Sequence, residues 1–205
     1  MMKLYFSPGS CAFATHLALE EAGASYEAIK LNFKTGEHLT DEYLAINPKG
    51  RVPALITSHG VLTETPALLV YIAQVFPESG LIPQGNPFLL AKIQEFNSFL
   101  ASTVHVAHAH KLRGHRWADE QSSFDDMKRK APETMHACYK LIEEEMIDGP
   151  WVMGETYTIC DAYLYTISRW LAGDGVAVSD FPKVENHMKL MAKRPAVQKI
   201  LPLHP

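Results

Sequence analysis

Tyr5-Phe6-Ser7-Pro8-Gly9-Ser10-Cys11-Ala12-Phe13-Ala14-Thr15-His16 carries a short strand through a Pro-Gly turn into a helix, with a cysteine at the join. Upstream, Lys3-Leu4-Tyr5-Phe6 has strand composition. Downstream, Ala12-Phe13, Leu17-Ala18-Leu19 and Ala22 recur at helical spacing until Gly23, which predicts a helix over 12–22 with Ser10 as its cap. Cys11 therefore stands at a helix N-terminus, where N–H groups without intrahelical partners and the aligned peptide dipoles favour thiolate over thiol. The competing reading is a small buried residue that merely opens a helix.

Working outward, short elements keep alternating. Strand 26–32 is followed by a polar stretch over 34–40 and a helical turn around 41–46. Asn47-Pro48-Lys49-Gly50-Arg51-Val52-Pro53 then leads into strand 54–57, and Ser58-His59-Gly60 turns the chain back through Val61-Leu62-Thr63. Thr65 and Pro66 open a helix to about Phe76, with Thr65 as N-cap and Pro66 at the first helical position, where a missing N–H costs nothing. This is the rhythm of an α/β unit.

Residues 77–87 hold three prolines and two glycines and few periodic apolar residues, which predicts a linker. The first domain is thus expected over 1–79 and an all-helical second domain over 87–205. In the second, two long helices are expected over 88–114 and 122–147, the latter broken by Asp148-Gly149-Pro150. Thr158-Ile159-Cys160-Asp161 is a capping-box start to a buried helix reaching about Leu171, and shorter helices follow from Pro182 and Pro195.

At 205 residues, with net charge −4 and 47% hydrophobic residues, the chain has the composition of a globular protein and no basic excess to attract nucleic acid. Polar residues interrupt every apolar run before membrane-spanning length, and the start leads directly into a strand, so the protein is expected in the cytoplasm. Cys11, Cys138 and Cys160 are three and widely separated, which fits neither a disulfide framework nor a zinc site of paired cysteines. Val104-His105-Val106-Ala107-His108-Ala109-His110-Lys111-Leu112-Arg113-Gly114-His115-Arg116 is rich in histidine, but it contains no carboxylate and His110 leaves the face shared by His105 and His108. No metal is expected there. Cys138 and Cys160, set among apolar neighbours, are expected to be structural.

Four stretches together carry a resemblance: Ser7-Pro8-Gly9-Ser10-Cys11; Ala45 to Leu55 with Asn47-Pro48-Lys49-Gly50-Arg51-Val52-Pro53; Leu62-Thr63-Glu64-Thr65-Pro66-Ala67; and Thr158-Ile159-Cys160-Asp161-Ala162-Tyr163. In this order, across nearly the whole chain, they resemble the cytosolic glutathione transferases, the bacterial beta class above all. The resemblance implies a thioredoxin-like βαβ-αββα domain followed by an all-helical domain, a homodimer, and glutathione as co-substrate. It implies Cys11 and His105 as catalytic residues. Glutathione contacts are implied at Cys11, Phe33, Gly36, Val52, Pro53, Glu64, Thr65, Ser98, Ser102, Thr103 and His105, and an acceptor pocket at His108, Lys111, Leu112 and Trp170. Ser98, Thr103 and Val106 stand where the family often has asparagine, an acid and lysine.

The residues suit that chemistry. A tripeptide can lie extended against an exposed strand edge, and Val52, held extended by the following proline, is the natural pairing residue; the resemblance implies a cis Val52-Pro53 bond. Glu64 suits an α-amino group and the helix start at Thr65 a carboxylate, both present on a γ-glutamyl carbon; alternatively the dipeptide only caps a helix. The function expected is conjugation of glutathione thiolate to small apolar electrophiles. The alternatives are a glutathione-dependent thiol-disulfide oxidoreductase working through a Cys11 mixed disulfide, and a non-catalytic binder of apolar ligands.

Overall fold

The computed structural model describes residues 1–204, which fall into two compact units. The first comprises residues up to Leu90 together with the segment from Ala192 onward. It contains β1 (Met2–Phe6), α1 (Ala12–Glu21), β2 (Tyr26–Lys30), α2 (Asp41–Leu44), β3 (Ala54–Thr57), β4 (Gly60–Thr63) and α3 (Thr65–Val75). The sheet order is β2-β1-β3-β4, with β1 and β2 parallel and the other two pairings antiparallel. The expected thioredoxin-like arrangement is therefore present.

Every residue of α1 from Ala12 to Leu19 is buried, because the helix packs against α3 and against α10 (Pro195–Ile200) as well as β1. Fully burying a side chain such as Phe13 or Leu17 contributes about 2 to 3 kcal/mol each. The helix stops in a Schellman motif: Gly23, at φ +63°, donates its N–H to Glu20 O, and Ala24 donates to Leu19 O. Tyr5, Tyr43 and Ile46 pack in a second cluster with Leu31, Val52 and Ala54.

The second unit, Ala91–Met191, is helical. The first expected long helix is α4 (Pro87–Phe99) running through one wider i→i+5 turn, Leu100–Val104, into α5 (His105–Arg113). The next is α6 (Gln121–Leu141), ending in a second wide turn, Ile142–Met146. α7 (Ile159–Ser168) is buried throughout, followed by α8 (Leu171–Asp174) and α9 (Pro182–Ala192). The capping box at Thr158 is formed as expected: Asp161 Oδ2 accepts from Thr158 N at 2.7 Å, and Thr158 Oγ1 accepts from Cys160 N at 3.3 Å.

Three details differ from expectation. β2 ends at Lys30, because the Asn32 side chain caps a 3-10 turn over Phe33–Thr35 by accepting from Lys34 N. The N-cap of α3 is Glu64 rather than Thr65: Glu64 O accepts the first helical bond from Leu68 N, and Glu64 sits at φ +72°. Finally, the segment from Ala192 belongs to the first unit instead of the expected second domain. Arg194 grips Glu21 through two hydrogen bonds (2.6 and 2.9 Å), Lys199 pairs with Glu20 at 2.7 Å, and the buried rings of His16 and His204 meet at 2.9 Å.

Candidate active site

Cys11 is set by Ser10. The Ser10 hydroxyl donates to Ser7 O at 2.6 Å and accepts from Ala12 N at 3.3 Å, while Ser10 O accepts from Phe13 N at 3.2 Å. With Gly9 at φ +70° making the turn, Cys11 takes helical dihedrals (φ −61°, ψ −13°) one residue ahead of α1. The N-cap of α1 is Cys11 itself rather than the expected Ser10, which stands one residue earlier and still takes the Ala12 N–H on its hydroxyl. The Ala12 and Phe13 N–H groups bond to the Ser10 hydroxyl and carbonyl oxygens. Cys11 Sγ, half-buried, donates to Val52 O at 3.5 Å.

The Val52 segment is pinned from behind. Asn47, 1% exposed, donates from its amide nitrogen to Arg51 O at 2.6 Å and accepts from Lys49 N at 3.2 Å. Tyr43 Oη donates to the same Arg51 carbonyl at 2.6 Å. Gly50 closes the turn at φ +58°, where a Cβ would come within 3.2 Å of His38 O and 3.1 Å of Leu39 Cδ2. These contacts explain the residue types at Asn47 and Gly50. The Val52-Pro53 bond that follows is cis, as the resemblance implied.

Glu64 projects from a left-handed position at the start of α3, and its carboxylate pairs with Lys49 Nζ, which also donates to Thr63 Oγ1 at 2.7 Å. Lys49 was not singled out from sequence. Its place in the Asn-Pro-Lys-Gly turn, on the loop running into the strand beside β4, is the signal that points to it. Thr65, the first residue of α3, is buried. Phe33 and Gly36 lie in the two 3-10 turns after β2: Phe33 stacks on His38 with ring centroids 4.0 Å apart, and Gly36 is left-handed at φ +77°.

The remaining candidates belong to the helical unit. Ser98, Ser102 and Thr103 are exposed, the last two within the wide turn, and Ser102 Oγ donates to Ser98 O at 2.8 Å. One such turn in a helix rotates the residues after it, and here it immediately precedes His105. The His105 ring lies 5.0 Å from Trp170, which stacks on His108 at 4.3 Å with 23° between planes. His108 Nδ1 contacts Asp174 Oδ2 at 2.7 Å, and Lys111 Nζ lies 3.9 Å from Asp174 Oδ1. His105, His108, Lys111 and Trp170 are thus brought together, with Asp174 as a member that sequence reasoning did not select. Leu112, 72% exposed, stands outside this group.

The three cysteines form no disulfide. Burial pushes the Cys138 thiol up, and burial with the nearby Asp161 carboxylate pushes Cys160 well above its ordinary value, so neither is suited to nucleophilic chemistry. Among the described residues, no group of three or more His, Cys, Asp or Glu is arranged to hold a metal ion, and no helix is long and apolar enough to cross a membrane.

A thioredoxin-like sheet with a cysteine opening α1 beside a cis Val-Pro, followed in the chain by a helical unit, defines a class of proteins built from a thioredoxin-like unit and a helical unit. Comparison with known proteins identifies the family. The glutathione S-transferase N-terminal domain model matches residues 1–74 and the corresponding C-terminal domain model residues 105–195. Glutathione S-transferase GstA of Escherichia coli O157:H7 is 30% identical, over 98% of this chain and 97% of its own. A glutathione transferase homologue from Sulfitobacter, crystallised with bound glutathione, is 45% identical, with a TM-score of 0.96 over 99% of this chain and 98% of the other. A beta class glutathione S-transferase from Sphingomonas chungbukensis is 31% identical with a TM-score of 0.86, covering 98% of both chains. This chain belongs to the glutathione S-transferase family.

Proposed function

We infer that the protein is a glutathione transferase of the beta class, binding glutathione as co-substrate and conjugating its thiolate to small apolar electrophiles. The observation that carries this is full-length similarity, at 45% identity, to a homologue crystallised with glutathione, in a chain whose Cys11, Val52 and Glu64 have chemistry suited to that tripeptide. Beta class membership draws support from the Sphingomonas relative and from the cysteine at position 11. The oxidoreductase and the apolar-ligand carrier considered from sequence are not favoured by relatives that bear transferase names over their full length.

In this reading, the Val52 backbone pairs with the extended peptide, and Pro53, Phe33 and Gly36 shape its surroundings. The γ-glutamyl ammonium takes the place of Lys49 Nζ on Glu64, and the γ-glutamyl carboxylate meets the start of α3 at Thr65. Cys11 and His105 act on the glutathione sulfur, with Ser98, Ser102 and Thr103 as further polar contacts. His108, Lys111 and Trp170 serve the acceptor, and Leu112, outside that group, is left without this role. For an aryl chloride, a carbon–sulfur bond forms, the carbon–chlorine bond breaks and chloride leaves. The protein works as a homodimer in the cytoplasm.

The test is steady-state conjugation of 1-chloro-2,4-dinitrobenzene by wild type, Cys11→Ala and His105→Ala. Activity in wild type that falls in both variants supports the reading; no conjugation by wild type at saturating glutathione overturns it. Analytical ultracentrifugation tests the dimer, and a sedimentation coefficient of a single chain would refute it.

A further inference from the structure

The His108–Asp174 pair has the form of an acid–base dyad. Asp174 is 1% exposed and closes α8, with its N–H bonded to Trp170 O at 2.9 Å and Gly175 turning the chain away at φ +81°. A carboxylate at the C-terminal end of a helix opposes the peptide dipoles, so helix capping does not account for an acid here. Its partners come from α5, with His108 Nδ1 at 2.7 Å and Lys111 Nζ at 3.9 Å.

A carboxylate only accepts, so this contact puts a proton on His108 Nδ1 and leaves Nε2 as the working nitrogen on the opposite edge of the ring. Among the described residues, Nε2 has no hydrogen-bond partner, and the His108 side chain is 15% exposed. Two contacts immobilise the imidazole: Asp174 fixes its rotation and Trp170, stacked at 4.3 Å, fixes its plane. A ring fixed in both respects is pre-organised for proton transfer.

Resting on the transferase reading above, we propose that His108 is a general acid for acceptors that must gain a proton on conjugation, namely α,β-unsaturated carbonyl compounds, with Asp174 as its positioning residue. Glutathione thiolate forms a carbon–sulfur bond at the β-carbon, and the π electrons of the alkene move to give an enolate. Imidazolium Nε2–H delivers its proton to the α-carbon, restoring the carbonyl, and neutral His108 is then reprotonated from water. Displacement at an aryl chloride needs no such proton, because chloride departs as the anion. The dyad therefore favours one acceptor class over the other.

The experiment measures kcat/KM of the full-length protein for 4-phenyl-3-buten-2-one and for 1-chloro-2,4-dinitrobenzene in wild type, His108→Gln, His108→Ala and Asp174→Asn. A positioned acid contributes about 10² to 10⁴ in rate. The enone-to-aryl-chloride ratio is expected to fall about 10²-fold in His108→Gln and about tenfold in Asp174→Asn. In His108→Ala, added imidazole is expected to restore enone turnover selectively. An unchanged ratio, equal losses on both acceptors, or absence of selective imidazole rescue overturns the proposal, as does a wild type active on the aryl chloride alone. Should Asp174→Asn fail to fold, the His108→Ala rescue decides the matter. A wild type inactive on both acceptors refutes the transferase reading itself, and the proposal falls with it.

Discussion

Replacing Asp161 with alanine is expected to cost about 4 kcal/mol of stability. Its fully buried carboxylate accepts from four groups: Thr158 N (2.7 Å) and Thr158 Oγ1 (3.3 Å) on Oδ2, and Val152 N (2.8 Å) and His187 Nε2 (3.1 Å) on Oδ1. Alanine leaves two backbone N–H groups and one imidazole edge buried without an acceptor. Each such group costs about 1 to 3 kcal/mol. The ring has no easy recovery, because His187 Nδ1 is already buried without a partner among the described residues. Relief of the buried charge offsets part of the sum, and breaking a buried pair by removing one member typically costs about 3 to 5 kcal/mol. With a urea dependence of about 2 to 3 kcal/mol per M, the unfolding midpoint followed by circular dichroism should fall by roughly 1 to 2 M. Asp161→Asn, which retains one acceptor oxygen, should fall by less. A midpoint lowered by under about 0.3 M in Asp161→Ala would refute the assignment of this carboxylate as the tie between α7, the 152 loop and α9.

Burial lowers His16 to about 4 from 6.5, against the Glu20 charge that raises it. Because the unfolded chain binds this proton more readily, the contribution is whole above about pH 6.5 and is lost as pH falls toward 4. It amounts to about 3 kcal/mol, and a series of urea midpoints across that window should decline in wild type and flatten in His16→Gln. Native protein treated with a maleimide should be labelled at Cys11, and peptide mapping that finds Cys138 or Cys160 modified at a comparable rate would contradict their burial. Gly50→Ala forces a side chain into a left-handed position against His38 O, at about 1 to 2 kcal/mol. Displacement of the Val52 segment should raise KM for glutathione with little change in kcat.

Much of the local geometry around the candidate site was legible because its determinants are local. The Ser-Pro-Gly-Ser-Cys turn and the Thr158 capping box each hold within a few residues the groups that satisfy one another. What escaped the sequence depends on distant partners. Asp174 meets His108 across 66 positions, and Arg194 meets Glu21 across 173. Nothing in Leu171-Ala172-Gly173-Asp174 marks the acid as anything but a solvated charge. Glu64 was placed one residue outside α3 because a threonine before a proline is the better cap by type, and only the left-handed backbone at Glu64 reverses that order. The wide turn ahead of His105 is likewise invisible to composition, since it changes which carbonyl each N–H reaches and not which residues are helical.

The return of the segment beyond Ala192 to the first unit makes the helical unit, in chain order, an insertion. A ribosome that has just produced α3 has made the sheet and the cysteine but not the strap that covers the outer side of α1. His16 then lacks His204, and Glu20 and Glu21 lack their cations, until about 120 to 130 more residues have been added. The thiol-bearing unit is consequently completed only after the helices inserted within it have been synthesised.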